Sequence, residues 1–410
     1  MQRWVLFIAA VSAVLSCSRI IEVGGENSHA SAPGRWGNLD LVQGNHASDR
    51  MICYMTVLDY QKGYDWKSDR ASESVKCSLA VYVDGVPVMK VPVGEMYETG
   101  ADSDMHRIVQ GHLYTDYSTE HETVIKKDGV TLFRYQGRES LCGLEVLGGN
   151  VYTLGQSRNG DGFTFRKNGE IVYEREQGNI IGDLQSCGDT LSYAFYESIS
   201  SDSDDICRYY KYVNGRITQI AVRDDIKKVW DIMLEGDCET YVASLTGVLL
   251  PVIVKGESMR VIALPLGSSL VTCRLFEVSD RTGAEGIYRA ADGNMYNAVW
   301  LDGLLHHVLP AGKILSSLDV SGDGVFCTAN PSSQEDCGVI YRCGDVYDMP
   351  EGYMAIGQAC VCVIDGVMHA GLSSSDCDKP LLWKDGEIDS LRVNGYVSGV
   401  YAESARSVLP

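Results

Sequence analysis

Asp319-Val320-Ser321-Gly322-Asp323-Gly324 has the oxygen spacing with which a calcium-binding loop opens. Such a loop closes its coordination sphere with an acid at the twelfth position, which here is Asn330. The segment also reads as a tight turn between two alternating strands, so a hairpin accounts for it and no metal ligand is assigned. The eight histidines are His29, His46, His106, His112, His121, His306, His307 and His369. None forms a His-Glu-x-x-His pair, and neither a Gly-x-Ser-x-Gly elbow nor a phosphate-cradling Gly-x-x-x-x-Gly-Lys loop occurs. His306 and His307 are neighbours on a strand and point to opposite faces; the histidines are expected at the surface.

An acid–base enzyme needs two groups in mutual reach. Among 55 acidic residues, Glu145 and Asp319 follow an inner-strand pattern and are the carboxylates to watch, with satisfied polar groups as the simpler role. No catalytic residue is assigned and no cofactor is expected. The acidic run Ser201-Asp202-Ser203-Asp204-Asp205 reads as a solvated loop. A long excursion from Tyr60 to Arg70 carries Tyr64, Asp65, Trp66 and Asp69. Its two aromatic faces are suited to stack on a sugar or a protein partner, with the acids as hydrogen-bond acceptors; folding back over the first sheet is the plainer alternative.

The sequence has 14 cysteines. In a body this long most are expected as small buried hydrophobes. Cys327 and Cys337, separated by a short excursion between neighbouring antiparallel strands, are the pair expected to form a disulfide. Cys360 and Cys362 are expected on one strand face as core thiols.

These residues must be positioned by repeated strands. A tight turn built on Asp-Gly, Asn-Gly or a degenerate form recurs at Gly85, Gly129, Gly169, Gly215, Gly256, Gly303, Gly344 and Gly386, with gaps of 44, 40, 46, 41, 47, 41 and 42 residues. Two residues before the Asx position, five copies carry an aromatic: Tyr82, Tyr212, Trp300, Tyr341 and Trp383. A second landmark is an alternating hairpin, clearest in Leu144 to Leu154, that falls between successive turns. Each period therefore holds four short strands, with residues suited to left-handed turn positions at its third connection. The expectation is an all-β, eight-bladed β-propeller of four-stranded antiparallel blades. A seven-bladed propeller with one hairpin outside it is the alternative, and a pair of unrelated β domains a third reading. The strand Tyr396 to Glu403 is expected either to supply the inner strand of blade one, displacing Leu39 to Val42, or to pack elsewhere.

The N-terminus speaks to location. Arg3, the apolar run Val5 to Leu15 and Leu15-Ser16-Cys17 resemble a bacterial lipoprotein signal. The resemblance implies cleavage before Cys17 and its acylation, with the lipid bilayer as a partner; an ordinary secretory signal is the alternative. Residues 1–16 are then the signal, 17–35 a flexible tether and 36–410 a single propeller domain. Net charge is −20, which repels phosphate backbones, so nucleic acid is not an expected partner.

Val151-Tyr152-Thr153-Leu154-Gly155, Trp383-Lys384-Asp385-Gly386 and Trp300-Leu301-Asp302-Gly303 carry a further resemblance, spanning about Trp36 to Ala402. It is to NHL- and kelch-like propellers, and especially to repeat lipoproteins of gut Bacteroidetes with a "VYVAG…WKNG" element. Blade five departs from it with Lys255-Gly256, and blade seven with Cys343-Gly344. The resemblance implies an outer-membrane lipoprotein, with the periplasmic or outward face left open. The function expected is binding of a glycan or envelope protein through blade loops. A carboxylate-dependent hydrolase or lyase and a structural envelope component are its rivals.

Overall fold

The computed structural model describes residues 51–404, apart from 61–74, 84–85, 97–105, 110, 119–120, 138, 158–161, 201–204, 248–249, 279–280, 323, 334–336, 357–358, 375–378, 392 and 394. The fold is all-β, an eight-bladed β-propeller of four-stranded antiparallel sheets. No helix among the described residues is long and apolar enough to cross a membrane.

Blades three to six make one compact unit, residues 139–312. Blade three is typical: Glu139–Leu147, Asn150–Ser157, Phe163–Lys167 and Glu170–Arg175, paired in chain order. The second strand buries both faces. The fourth strand is exposed, its Ile171 and Val172 included, and so forms the outer edge. Blades one, two, seven and eight make the other unit. Here the C-terminal strand Tyr396–Ser404 pairs with Met51–Tyr60 and becomes the inner strand of blade one. The strand thus takes the first of the two places expected for it; Leu39 to Val42 lies outside the described residues. In blade eight the inner position is broken between Tyr353–Met354 and Val361–Ile364, both paired to Val367–Ser374.

The two landmarks have separate physical causes. At the third turn Asp128, Asn168, Asn214, Asp302 and Asp385 all take positive φ, followed by a positive-φ glycine, as a two-residue hairpin turn of matching twist requires. Asx is preferred there for a second reason. Its carboxyl or amide oxygen accepts the N–H that opens the second strand: Asp128 from Leu113 at 2.9 Å, Asn168 from Val151 at 2.9 Å, Asn214 from Leu191 at 2.8 Å and Asp385 from Met368 at 3.0 Å. One side chain therefore pins the outer hairpin to the inner one. Blade five is offset by a residue: Lys255 pairs with Ser258, so Gly256 takes the first turn position, as in the alternative glycine-first hairpin turn. Gly85 lies outside the described residues.

The aromatic landmark is core. Tyr82, Tyr212, Trp300, Tyr341 and Trp383 are all buried, and Trp300 packs on Tyr288 while its Nε1 donates to Ala263 O at 2.8 Å. Where Arg166 replaces the aromatic, its buried guanidinium pairs with Glu139 at 2.8 Å on the inner strand of the same blade.

Successive blades are tied by polar side chains one repeat apart. Glu145 accepts from Ser186 Oγ at 3.0 Å, Gln185 from Leu234 N–H at 3.2 Å, Asp231 from Leu275 N–H at 2.7 Å and Asp319 from Val363 N–H at 2.7 Å. Ser317 Oγ accepts from both Cys360 and Val361 N–H at 3.0 Å; over a shorter span of 24 residues, Ser373 Oγ accepts from Val397 N–H at 2.9 Å. Bulges at Leu141/Gly143, Ile181/Gln185 and Leu315/Ser317 shift the inner-strand register beside several of these groups.

Candidate functional site

Cys17, Tyr64, Asp65, Trp66 and Asp69 lie outside the described residues, as does Asp323 of the calcium-like segment. The described part of that segment is a hairpin, with Val320 opposite Val325.

Glu145 and Asp319, the two carboxylates nominated from the inner-strand pattern, are buried and bonded to the following blade. Their geometry is that of staples between neighbouring sheets. Asp319 is strained electrostatically. Burial pushes its carboxyl up to about 6, against the lowering effect of the N–H groups of Val363 and Val320, and its Oδ1 has no hydrogen-bond partner. A raised acid pKa means that the fold holds the proton more tightly than the unfolded chain does. Stability from this group is therefore full below about pH 4, falls as pH rises towards 6, and stays low above it. Asp319→Asn keeps an acceptor for Val363 and carries no charge. The variant should gain about 1–2 kcal/mol over the parent at pH 7 and nothing at pH 4. Urea unfolding at both pH values checks this, and an equal difference at the two would contradict it.

The histidines are less superficial than expected. His106 accepts or shares a proton with Thr56 Oγ1 at 2.9 Å and stands edge-on to Tyr401; burial lowers its pKa to about 4. His306 is exposed and His307 partly buried on the outer strand Leu304–Val308. His369 is 5% exposed, on the second strand of blade eight.

His369 belongs to a cluster that sequence reasoning missed. Cys53 on Met51–Tyr60, Cys362 on Val361–Ile364 and His369 on Val367–Ser374 are all buried, and their donor atoms lie within 4.8 Å of one another. Pairing in blade eight sets Cys362 opposite His369, while Cys53 arrives from blade one. The hydrogen bond with Cys53, then burial, then the charges of Cys53 and Asp319 push the Cys362 thiol well above the ordinary cysteine range. His369 Nδ1 lies 3.2 Å from Val367 O. Two sulfurs and an imidazole in this arrangement can hold a soft cation.

Two cysteine expectations are corrected. Cys327 and Cys337 are thiols, with no disulfide between them. Ala329 pairs with Val339, which puts Tyr341 opposite Cys327 and leaves Cys337 displaced along the ladder by about four residues, roughly 13 Å, far beyond disulfide reach. Cys337 Sγ instead donates to Asp348 Oδ1 at 3.6 Å. Cys360 and Cys362 are both fully buried core thiols, as expected, but they fall in different core clusters instead of sharing one face. Cys360 packs with Phe326, Ile340 and Val363, and Cys362 with Cys53, Met55 and Val400. The cause is the start of the strand, where the N–H groups of both Cys360 and Val361 converge on Ser317.

The chain matches no family model and no curated protein sequence. Among solved structures it is similar to dihydro-heme d1 dehydrogenase NirN in complex with DHE, at 10% identity and a TM-score of 0.50, over 91% of this chain and 77% of that one. The β-propeller domain of the Trilobed protease from Pyrococcus furiosus aligns at 10% identity and 0.46, over 73% and 92%. Drosophila semaphorin 1b, extracellular domains 1–2, aligns at 8% identity and 0.36, over 76% and 88%. At such identities the likeness to the first of these concerns the fold alone. A propeller is suited to act as a binding scaffold, with loops available to engage a partner.

Proposed function

We propose that the protein is a lipid-anchored, extracytoplasmic propeller that binds a glycan or protein partner at the cell envelope through its blade loops. The observation that carries this reading is how the inner-strand polar groups are used. Glu145, Gln185, Asp231, Ser317 and Asp319 each bond to the next blade, and the recurrent aromatics are buried between strands. A frame whose repeated polar and aromatic residues serve its own packing leaves recognition to the connections that vary from blade to blade. The longest of these in blade one carries Tyr64, Asp65, Trp66 and Asp69. Arg3, Val5 to Leu15 and Cys17 support export and acylation, and the charge of −20 supports a neutral or basic partner over nucleic acid.

The test uses the intact protein extracted from membranes in mild detergent. Mass spectrometry should find diacylglycerol on Cys17, and Cys17→Ala should release the protein from the membrane fraction. A glycan array and an envelope pull-down should identify a ligand whose affinity falls more than about tenfold in the Tyr64→Ala/Trp66→Ala double variant. Ligand binding that is unchanged in that variant would contradict the assigned loop, and cleavage of the bound glycan would favour the hydrolase.

A further inference from the structure

The Cys53, Cys362 and His369 cluster is buried. The three residues are 2%, 0% and 5% exposed, and Met55, Val57, Val397 and Val400 belong to the same core. An apolar core admits an ion only as part of a charge-neutral group. Two thiolates and one divalent cation sum to zero charge, and a neutral imidazole adds a donor without altering that sum. The hydrogen bond from His369 Nδ1 to Val367 O leaves Nε2 with the lone pair, which is the arrangement that orients a metal-bound histidine.

We propose that Cys53, Cys362 and His369 bind one zinc ion, which clips blade eight to blade one at the point where the C-terminal strand enters the N-terminal sheet. Zinc is favoured by its preference for mixed sulfur and nitrogen donors and by the charge balance. Binding releases two protons, one from each thiol, and involves no oxidation. The site is assembled only when blade one pairs with Tyr396–Ser404 and packs on blade eight, so zinc affinity and closure of that sheet are linked.

The test takes the full-length protein, purified with a thiol reductant and stripped with a chelator, and titrates it with Zn²⁺ and separately with Co²⁺. One equivalent of Zn²⁺ should bind and raise the unfolding temperature. Co²⁺ should give a thiolate-to-metal charge-transfer band. Cys53→Ser and Cys362→Ser should each weaken zinc binding more than about tenfold, whereas Cys360→Ser, in a different core cluster, should leave it unchanged. Should the ligand variants fail to fold, alkylation of the parent protein decides. Zn²⁺ should slow modification of Cys53 and Cys362 at least about tenfold and leave Cys273 unaffected. Failure of the reduced, folded protein to take up zinc, a cobalt spectrum without the thiolate band, or recovery of Cys53 and Cys362 as a disulfide from the isolated protein would each overturn the proposal. None of these outcomes bears on partner binding by the loops.

Discussion

Gly182→Ala should destabilise the protein by roughly 2–5 kcal/mol, a large share of the 5–15 kcal/mol that holds an ordinary domain folded. Gly182 sits in the inner strand of blade four at φ +77°, and a Cβ there would overlap the backbone Ile232 O of blade five. Two penalties combine. A side chain in the left-handed region costs about 1–2 kcal/mol. Forcing two inner strands apart costs a further 1–3 kcal/mol or so, because the obstructing atom is backbone and cannot rotate away. Gly188→Ala separates the two terms, since Gly188 has φ +57° and nothing within 4 Å of the added carbon. It should lose only the first, about 1 kcal/mol. Denaturant midpoints of both variants give the comparison, and equal losses would mean that the blades are not in the close approach described.

The fold was legible because its repeat rests on local chemistry. Asx-Gly announces itself through the φ > 0 that a two-residue hairpin demands, and the alternation of Leu144 to Leu154 reports the two strands of a hairpin. The side-chain bond from Asn168 to Val151 was hidden, yet it explains why Asn or Asp recurs there. Long-range register was not legible. Cys327 and Cys337 looked like partners because they are close in sequence, and the pairing of Ala329 with Val339 separates them. Cys53 and Cys362 come from opposite ends of the chain, and only the closure of blade one brings them together. His369 gave no signal of its own, because a buried histidine opposite a cysteine on a strand looks in sequence like any other alternating residue. Glu145 and Asp319 were picked out by pattern, but their role as ties between blades depends on which backbone N–H lies across the gap.

Ending the chain at Asn394 should have the largest effect of all. It removes Val397, Val400, Tyr401 and Ala402, all buried in blade one. At about 1.5–3 kcal/mol for each of the three larger side chains, the loss approaches the whole stability of a domain. It also strips one of the two ladders of Met51–Tyr60, leaving only that with Val75–Val83, and the bonds from Ser398 Oγ to Thr56 O and from Tyr401 hydroxyl to His106 O, both 3.2 Å. Hydrogen exchange on the intact and shortened chains, read peptide by peptide, tests whether the two ends of the protein form one sheet. In the intact protein Met51–Tyr60 and Tyr396–Ser404 should be protected together, and in the shortened chain Met51–Tyr60 should exchange as fast as unstructured peptide. Undiminished protection of Met51–Tyr60 after the truncation would show that the first blade is complete without the last strand, contrary to the architecture on which both the binding scaffold and the zinc site depend.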